Sequence, residues 1–296
     1  MDRPMGPDLI EGNAFAVTVR KLTEPQVKAV SAEIESVKRF GYPNYFDDQR
    51  FGSFDSVQGF LAEKLLLGHF NGALKIHLTA IYPEDPREEK ERRTFFSDNW
   101  KDWKTCLPQA KTVFEKKALE LLGQKSTAFL EALKLIPREM LSLYFSAYES
   151  FLWNETIRRI LKKRLADSPF RTYPGAAGDY FFYPDLAPDD WEYLNALNLP
   201  TAAARTKMPD ALSDTVYAEI LKERGIKPAM FNNLKIRQAY FKSTDRRAVI
   251  IPENLSVDSD DDEIHKGKRK LVFKFKLPRG SYATMFLKRL FSVTFH

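Results

Sequence analysis

The sequence predicts an α+β protein. Its sheet-forming domain is assembled from both ends of the chain and interrupted by a mostly helical inserted domain. Two observations lead there. Residues 13–22 and 270–277 alternate apolar and polar side chains with the period of a half-buried strand, whereas residues 70–245 repeat mainly at helical spacing. The 296 residues, 44% hydrophobic and 13% aromatic, suffice for two cores. The expected boundaries are 1–68 with 250–296 for the sheet-forming domain and 69–249 for the insert.

In chain order, Asn13 to Leu22 is the first strand. Thr23 suits the N-cap of the helix that follows, with Glu24 and Pro25 in its first turn and Val27, Val30, Ile34 and Val37 on one face. Phe40 and Gly41 end it. A second helix is expected over 54–67, with Val57, Leu61 and Leu65 aligned. In the insert, Thr112 to Leu122, Ser126 to Leu135 and above all Pro137 to Arg164 read as helices. Residues 167–210, rich in Pro, Gly and Asp, read as loop with short elements. Asp214 to Arg224 is a helix capped by Gly225. Ala248 to Ile251 and Lys270 to Leu277 return to strand, and the acidic run Asp258–Glu263 between them is expected at a solvated hairpin tip. It lacks the glycine and spaced acids of a calcium loop. Ala283 to Phe291 is the final helix.

Composition narrows the function classes. The net charge of +6 is compatible with an RNA partner. Cys106 is the sole cysteine, which excludes an intrachain disulfide and a cysteine-cluster metal site. The four histidines show no metal-ligand spacing. No apolar run reaches the roughly 20 residues of a membrane helix, and Met1 to Pro7 lacks the apolar core of a signal peptide. A soluble, cytoplasmic protein is expected.

The most informative stretch is Gly41-Tyr42-Pro43-Asn44-Tyr45-Phe46-Asp47-Asp48-Gln49-Arg50-Phe51-Gly52. It is too polar for a core strand and too aromatic for an ordinary solvated loop. Aromatic faces beside an amide and a guanidinium suit a nucleotide, because bases stack on rings, amides read base edges and arginine holds phosphate.

This stretch resembles the G-x-PNYFG-x-QRFG signature of the TruD family of tRNA pseudouridine synthases. Two further segments are similar to that family: Gly12-Asn13-Ala14-Phe15, like its GN-x-F strand, and Leu277-Pro278-Arg279-Gly280-Ser281-Tyr282-Ala283-Thr284, like its LP-x-G-S-[YF]-A-T signature. Ala147 to Asn154 is a weaker match to a helix of the family's inserted domain. The resemblance implies a pseudouridine synthase catalytic domain with a mixed, mainly antiparallel sheet, and conversion of a tRNA uridine, usually at position 13, to pseudouridine. The base is cut from C1′, rotated and rejoined through C5, which requires a flipped-base pocket and an aspartate that begins the reaction. The isomerisation is redox-neutral, so the resemblance implies no cofactor or metal. It also assigns roles: Asn44 to hydrogen-bonding the nucleotide, Phe46 and Tyr282 to lining the uracil pocket. Arg50 is a candidate for phosphate or for a structural ion pair.

The family's catalytic aspartate lies in a G-x-KD-x-x-A motif ahead of the GN-x-F strand, and these 296 residues contain no such motif. Thr244-Asp245-Arg246-Arg247-Ala248 is only superficially similar, and reads as a basic strand entrance that contacts RNA or packs. Two positions depart from the family: Asp47 replaces a glycine, and Arg289 stands where glutamate is common. Asp47 is the one carboxylate beside the expected pocket and the one candidate for a substitute nucleophile; a solvated loop acid or helix N-cap is the plainer expectation. Three explanations fit the absent motif: a truncated chain, half of a split synthase, or an inactive RNA-binding paralogue. Truncation is the favoured expectation, with exposed strand edges and an apolar sheet face as its consequence. A helical protein-interaction module is the third class, and the two end motifs argue against it.

Overall fold

The computed structural model describes residues 11–294. The reading of Met1 to Pro7 therefore lies outside the described residues. The chain divides into two compact units, 1–47 with 157–199 and 246–296, and 48–156 with 200–245. These differ from the expected boundaries. Residues 157–199 belong with the sheet unit because Tyr183 donates a hydrogen bond to the Phe40 carbonyl at 2.9 Å and the Ser36 hydroxyl donates to the Pro184 carbonyl at 2.7 Å. Residues 48–68 belong with the helical unit because Phe60 packs its ring on Tyr148 and Phe151, at 5.3 and 4.8 Å between centroids.

The sheet unit holds a three-stranded antiparallel sheet in which the last strand (Arg269–Pro278) lies between the first (Gly12–Leu22) and Glu253–Asp261. Period-2 patterning sets the faces. Leu271, Phe273, Phe275 and Leu277 point into the core, while Lys274 and Lys276 point to solvent. The C-terminal helix (Ala283–Phe291) covers the inner face, with Phe286 against Phe273 and Phe275. Between the first strand and this helix lies a 410 Å³ hollow lined by Val19, Leu22, Tyr173, Leu287 and Phe291. The first strand is a sheet edge, and its residues before the buried Leu22 stay exposed or half-buried.

Three local expectations are corrected. The helix expected after Thr23 is two helices, Glu24–Ala32 and Ile34–Phe40, divided at Glu33; Thr23 caps the first as expected, and Gln26 closes a capping box with it. The helix expected over 54–67 shrinks to Leu61–Leu66. The Asp55 carboxylate accepts from the Val57 and Gln58 amides and Gly59 takes φ +86°, so a side-chain-bonded turn displaces the helix and leaves Val57 fully in solvent. The acidic run is only partly the hairpin tip: Asp258 to Asp261 are strand, and Asp262 and Glu263 begin the turn over 262–268. Buried Asp262 ties that turn by accepting from the Lys21, Ile264 and His265 amides and from Arg20.

The helical unit contains most of the long helix (Arg138–Arg164), whose residues up to Thr156 belong to it. Tyr148 on that helix donates to Glu63 at 3.0 Å, and Arg224 holds the same carboxylate at 2.6 Å. Val113–Gln124 starts with the Thr112–Glu115 capping box, and Ala211–Glu223 follows the Asp210 cap and ends before Gly225. Among the described residues no helix is long and apolar enough to cross a membrane.

Candidate functional site

The sheet unit brings together the first motif, the last motif and residues 41–47 of the middle one. Gly12 and Asn13 pair with Pro278 and Leu277, so the first and last motifs are neighbouring strand ends. The middle motif is anchored separately. Tyr42 and Pro43 pair antiparallel with Ile250 and Val249, and the Asn44 amide donates to the Ala248 carbonyl at 2.8 Å. Gly41 makes this approach possible: it takes φ +60°, and a Cβ there would meet the Ile250 carbonyl oxygen at 2.2 Å.

Arg246 joins the motifs. Its guanidinium donates to the Asn44 carbonyl at 2.8 Å, the Asn44 side-chain oxygen at 2.7 Å, the Tyr45 carbonyl at 3.3 Å and the Gly280 carbonyl at 2.7 Å. The same group lies 4.0 Å over the Phe46 ring and 5.9 Å from the Tyr282 ring. Phe46 and Tyr282 are both half-buried, with centroids 6.4 Å apart and planes at 65°. Two partly open rings beside a fixed cation form a corner fit for a planar, hydrogen-bonding base. In sequence, Arg246 reads as part of a basic strand entrance. Its signal was the basic pair Arg246-Arg247 placed just before the strand that pairs with Pro43, but sequence does not show that a guanidinium reaches across 202 positions to Asn44.

Asn44 is buried at 4% exposure. Its side-chain oxygen takes the Arg246 bond, and its nitrogen donates to the Arg247 carbonyl at 3.1 Å. An amide has two donors and two acceptor sites, so one N–H and one lone pair are left over from these contacts. Asn44 thus holds the shape of the corner.

Asp47 corrects the expectation of a solvated acid. It is 3% exposed, its Oδ2 accepts from the Thr284 hydroxyl at 2.7 Å and its Oδ1 pairs with Lys288 at 2.5 Å. Both oxygens are committed to the C-terminal helix. Lys288 in turn lies 4.7 Å from the Tyr180 ring and 5.5 Å from Tyr173. Thr284 belongs to the last motif, so the Asp47–Thr284 bond is a second tie between motifs.

Arg289 is fully buried, with Nη1 2.9 Å from the Glu33 carboxylate and Nη2 3.4 Å from the Ser36 hydroxyl. Arg171 bonds the same carboxylate. Burial alone would raise the Glu33 pKa, but the hydrogen bonds from Arg171 and Arg289 and their charges outweigh it, and the net shift is downward. The helix break at Glu33 lies where this network forms.

Arg50, the fourth candidate, lies in the helical unit. Its charge there acts on Glu149, drawing that pKa down against burial, which nevertheless pushes it up to about 8.

Comparison with known proteins identifies the family. The sequence model of tRNA pseudouridine synthase D (TruD) matches residues 1–183 and 194–290. A probable tRNA pseudouridine synthase D 2 of Methanocaldococcus jannaschii is 31% identical over 290 residues, covering 95% of this chain and 67% of that protein. A tRNA pseudouridine synthase D of Aquifex aeolicus is 29% identical over 289 residues, covering 95% of this chain and 70% of that protein. The crystal structure of a TruD protein from Methanosarcina mazei shares the fold with a TM-score of 0.73 at 23% identity, over 95% of this chain and 68% of that one. The chain belongs to the TruD family of tRNA pseudouridine synthases.

Proposed function

We propose that this chain carries the uridine-holding part of a tRNA pseudouridine synthase, with the target uracil seated in the corner formed by Phe46, Tyr282 and Arg246. The observation that carries the reading is the convergence of two distant motifs on one guanidinium, which bonds both Asn44 and Gly280 and lies over the Phe46 ring. A base flipped from its stack loses stacking energy, and a half-buried aromatic edge pair returns part of it.

The reaction of the family breaks the C1′–N1 glycosidic bond and forms C1′–C5. The C5 proton leaves, N1 gains one, and no electrons enter or leave. In this reading Phe46 and Tyr282 hold the ring while it turns, and Asn44 supports the corner from beneath. An aspartate must begin bond cleavage. Asp47 is a poor candidate because its oxygens are held by Thr284 and Lys288, and catalytic geometry tolerates misplacement of only about 1 Å. The 296 residues hold no G-x-KD-x-x-A motif. The expectation is therefore tRNA binding without turnover by this chain alone.

Tritium release from 5-tritiated uridine in tRNA tests this directly. No release is expected from the chain as given. Release that disappears in Asp47→Ala would overturn the reading and make Asp47 the nucleophile. Filter binding supplies the second arm: tRNA should be retained at low salt and lost as salt rises.

A further inference from the structure

The helical unit carries a basic, aromatic strip that the uridine corner does not use. Residues 232–244 run there without helix or regular strand. The segment is pinned to the helices beside it. Gln238 donates to the Lys134 carbonyl at 2.9 Å, the Lys242 amide donates to Glu149 at 2.9 Å, and Phe241 stacks on Phe145 at 4.7 Å. Ile236, Ala239 and Phe241 are buried, which turns Lys235, Arg237, Tyr240 and Lys242 outward. Lys134 and Arg138, on the adjacent helix ends, are exposed as well.

Among the described residues no carboxylate pairs with Lys134, Arg138, Lys235, Arg237 or Lys242, although ion pairs are common elsewhere in the unit. The cations surround two hollows. One of 590 Å³ is edged by Lys134, Lys235 and Arg237, with no acid in its lining. The other, of 180 Å³, is edged by Arg138, Tyr240 and Lys242, and its lining acid is Glu149. Burial pushes the Glu149 pKa up to about 8, so this carboxyl is largely neutral near pH 7. Cations held in a row repel one another unless an anion sits among them. An exposed tyrosine, 65% accessible, within such a row offers an aromatic face on which a base stacks.

We propose that this strip is a second RNA-binding surface, taking the phosphodiester backbone of an unpaired tRNA segment along Lys134, Lys235, Arg237 and Lys242 with a base stacked on Tyr240. The proposal rests on the tRNA reading given above.

The test is equilibrium binding of a tRNA transcript to the full chain across a range of salt concentrations. The triple variant Lys134→Ala, Arg237→Ala, Lys242→Ala should bind about tenfold or more weakly. Its plot of log affinity against log salt should flatten by about 2, at roughly 0.7 per lost phosphate contact on a single strand. Tyr240→Ala should lose about fivefold or more with the slope unchanged. All four side chains are exposed, so circular dichroism should match the parent. Parental affinity and slope in the triple variant would overturn the proposal. So would loss of polyglutamate binding with tRNA binding intact, which would make the strip a site for acidic protein. If the parent chain itself shows no salt-dependent tRNA binding, the tRNA reading falls and this surface falls with it.

Discussion

Arg246 and Arg289 show two uses of one side chain within the sheet unit. Arg246 is half-buried and spends its hydrogen bonds on neutral oxygens of two motifs while covering an aromatic face. Arg289 is sealed in the core and bonds the carboxylate of Glu33. The first shapes a corner that faces solvent. The second neutralises a charge so that the C-terminal helix can close on the first helices. A guanidinium bonded only to carbonyls leaves its positive charge unbalanced by its protein partners, whereas the charge of one bonded to a buried carboxylate is balanced where it sits.

The largest effect should come from breaking the buried pair. Glu33→Ala leaves Arg289 without its carboxylate in a site of zero exposure, and should cost about 3–5 kcal/mol in denaturant unfolding. Replacing both, as Glu33→Leu with Arg289→Met, should recover most of the loss, because apolar residues of similar volume fill such sites well. A single-variant cost under about 1 kcal/mol would mean that water reaches Arg289. The corner should respond in binding instead. Phe46→Ala should weaken tRNA binding by about 1–3 kcal/mol while the unfolding midpoint stays near the parent's.

Arg246→Lys separates charge from shape. An ammonium cannot fork to Asn44 and Gly280 together, so charge is kept but the corner loosens, with a stability cost of about 1 kcal/mol and reduced tRNA affinity. Affinity equal to the parent's would reduce Arg246 to a point charge. The smallest effect is that of pH. The folded-state pKa of Glu33 is lowered, so its contribution is present above the unfolded carboxyl value of about 4.3 and is lost as pH falls through the lower folded value. The stability gap between the parent and Glu33→Gln should therefore close below about pH 4 in acid titration.

Several elements were legible in the sequence for identifiable reasons. The C-terminal helix, the first strand and the last strand carry clean apolar periodicity, and each forms over the expected span to within a residue or two. The Thr23 N-cap is a local device and forms as expected, closed by Gln26 into a capping box. The 54–67 helix failed because Asp55 bonds its own backbone and Gly59 takes a left-handed conformation, a local competitor that apolar spacing conceals. The Pro188–Ala196 helix hides in a stretch whose Pro, Gly and Asp content reads as loop.

By itself the sequence determined the α+β class, the motifs and the family, because periodicity and short signatures are properties of neighbouring residues. Only the tertiary structure decided that Arg246 fastens Asn44 to Gly280, that Asp47 is buried against Thr284 and Lys288, and that Glu33 serves two arginines. Apart from Arg246 to Gly280, 34 positions, those contacts join residues more than 130 positions apart, and a charged side chain has no periodicity that names its partner. Its partner is fixed by which backbone elements pack together and by the cost of leaving a buried charge alone.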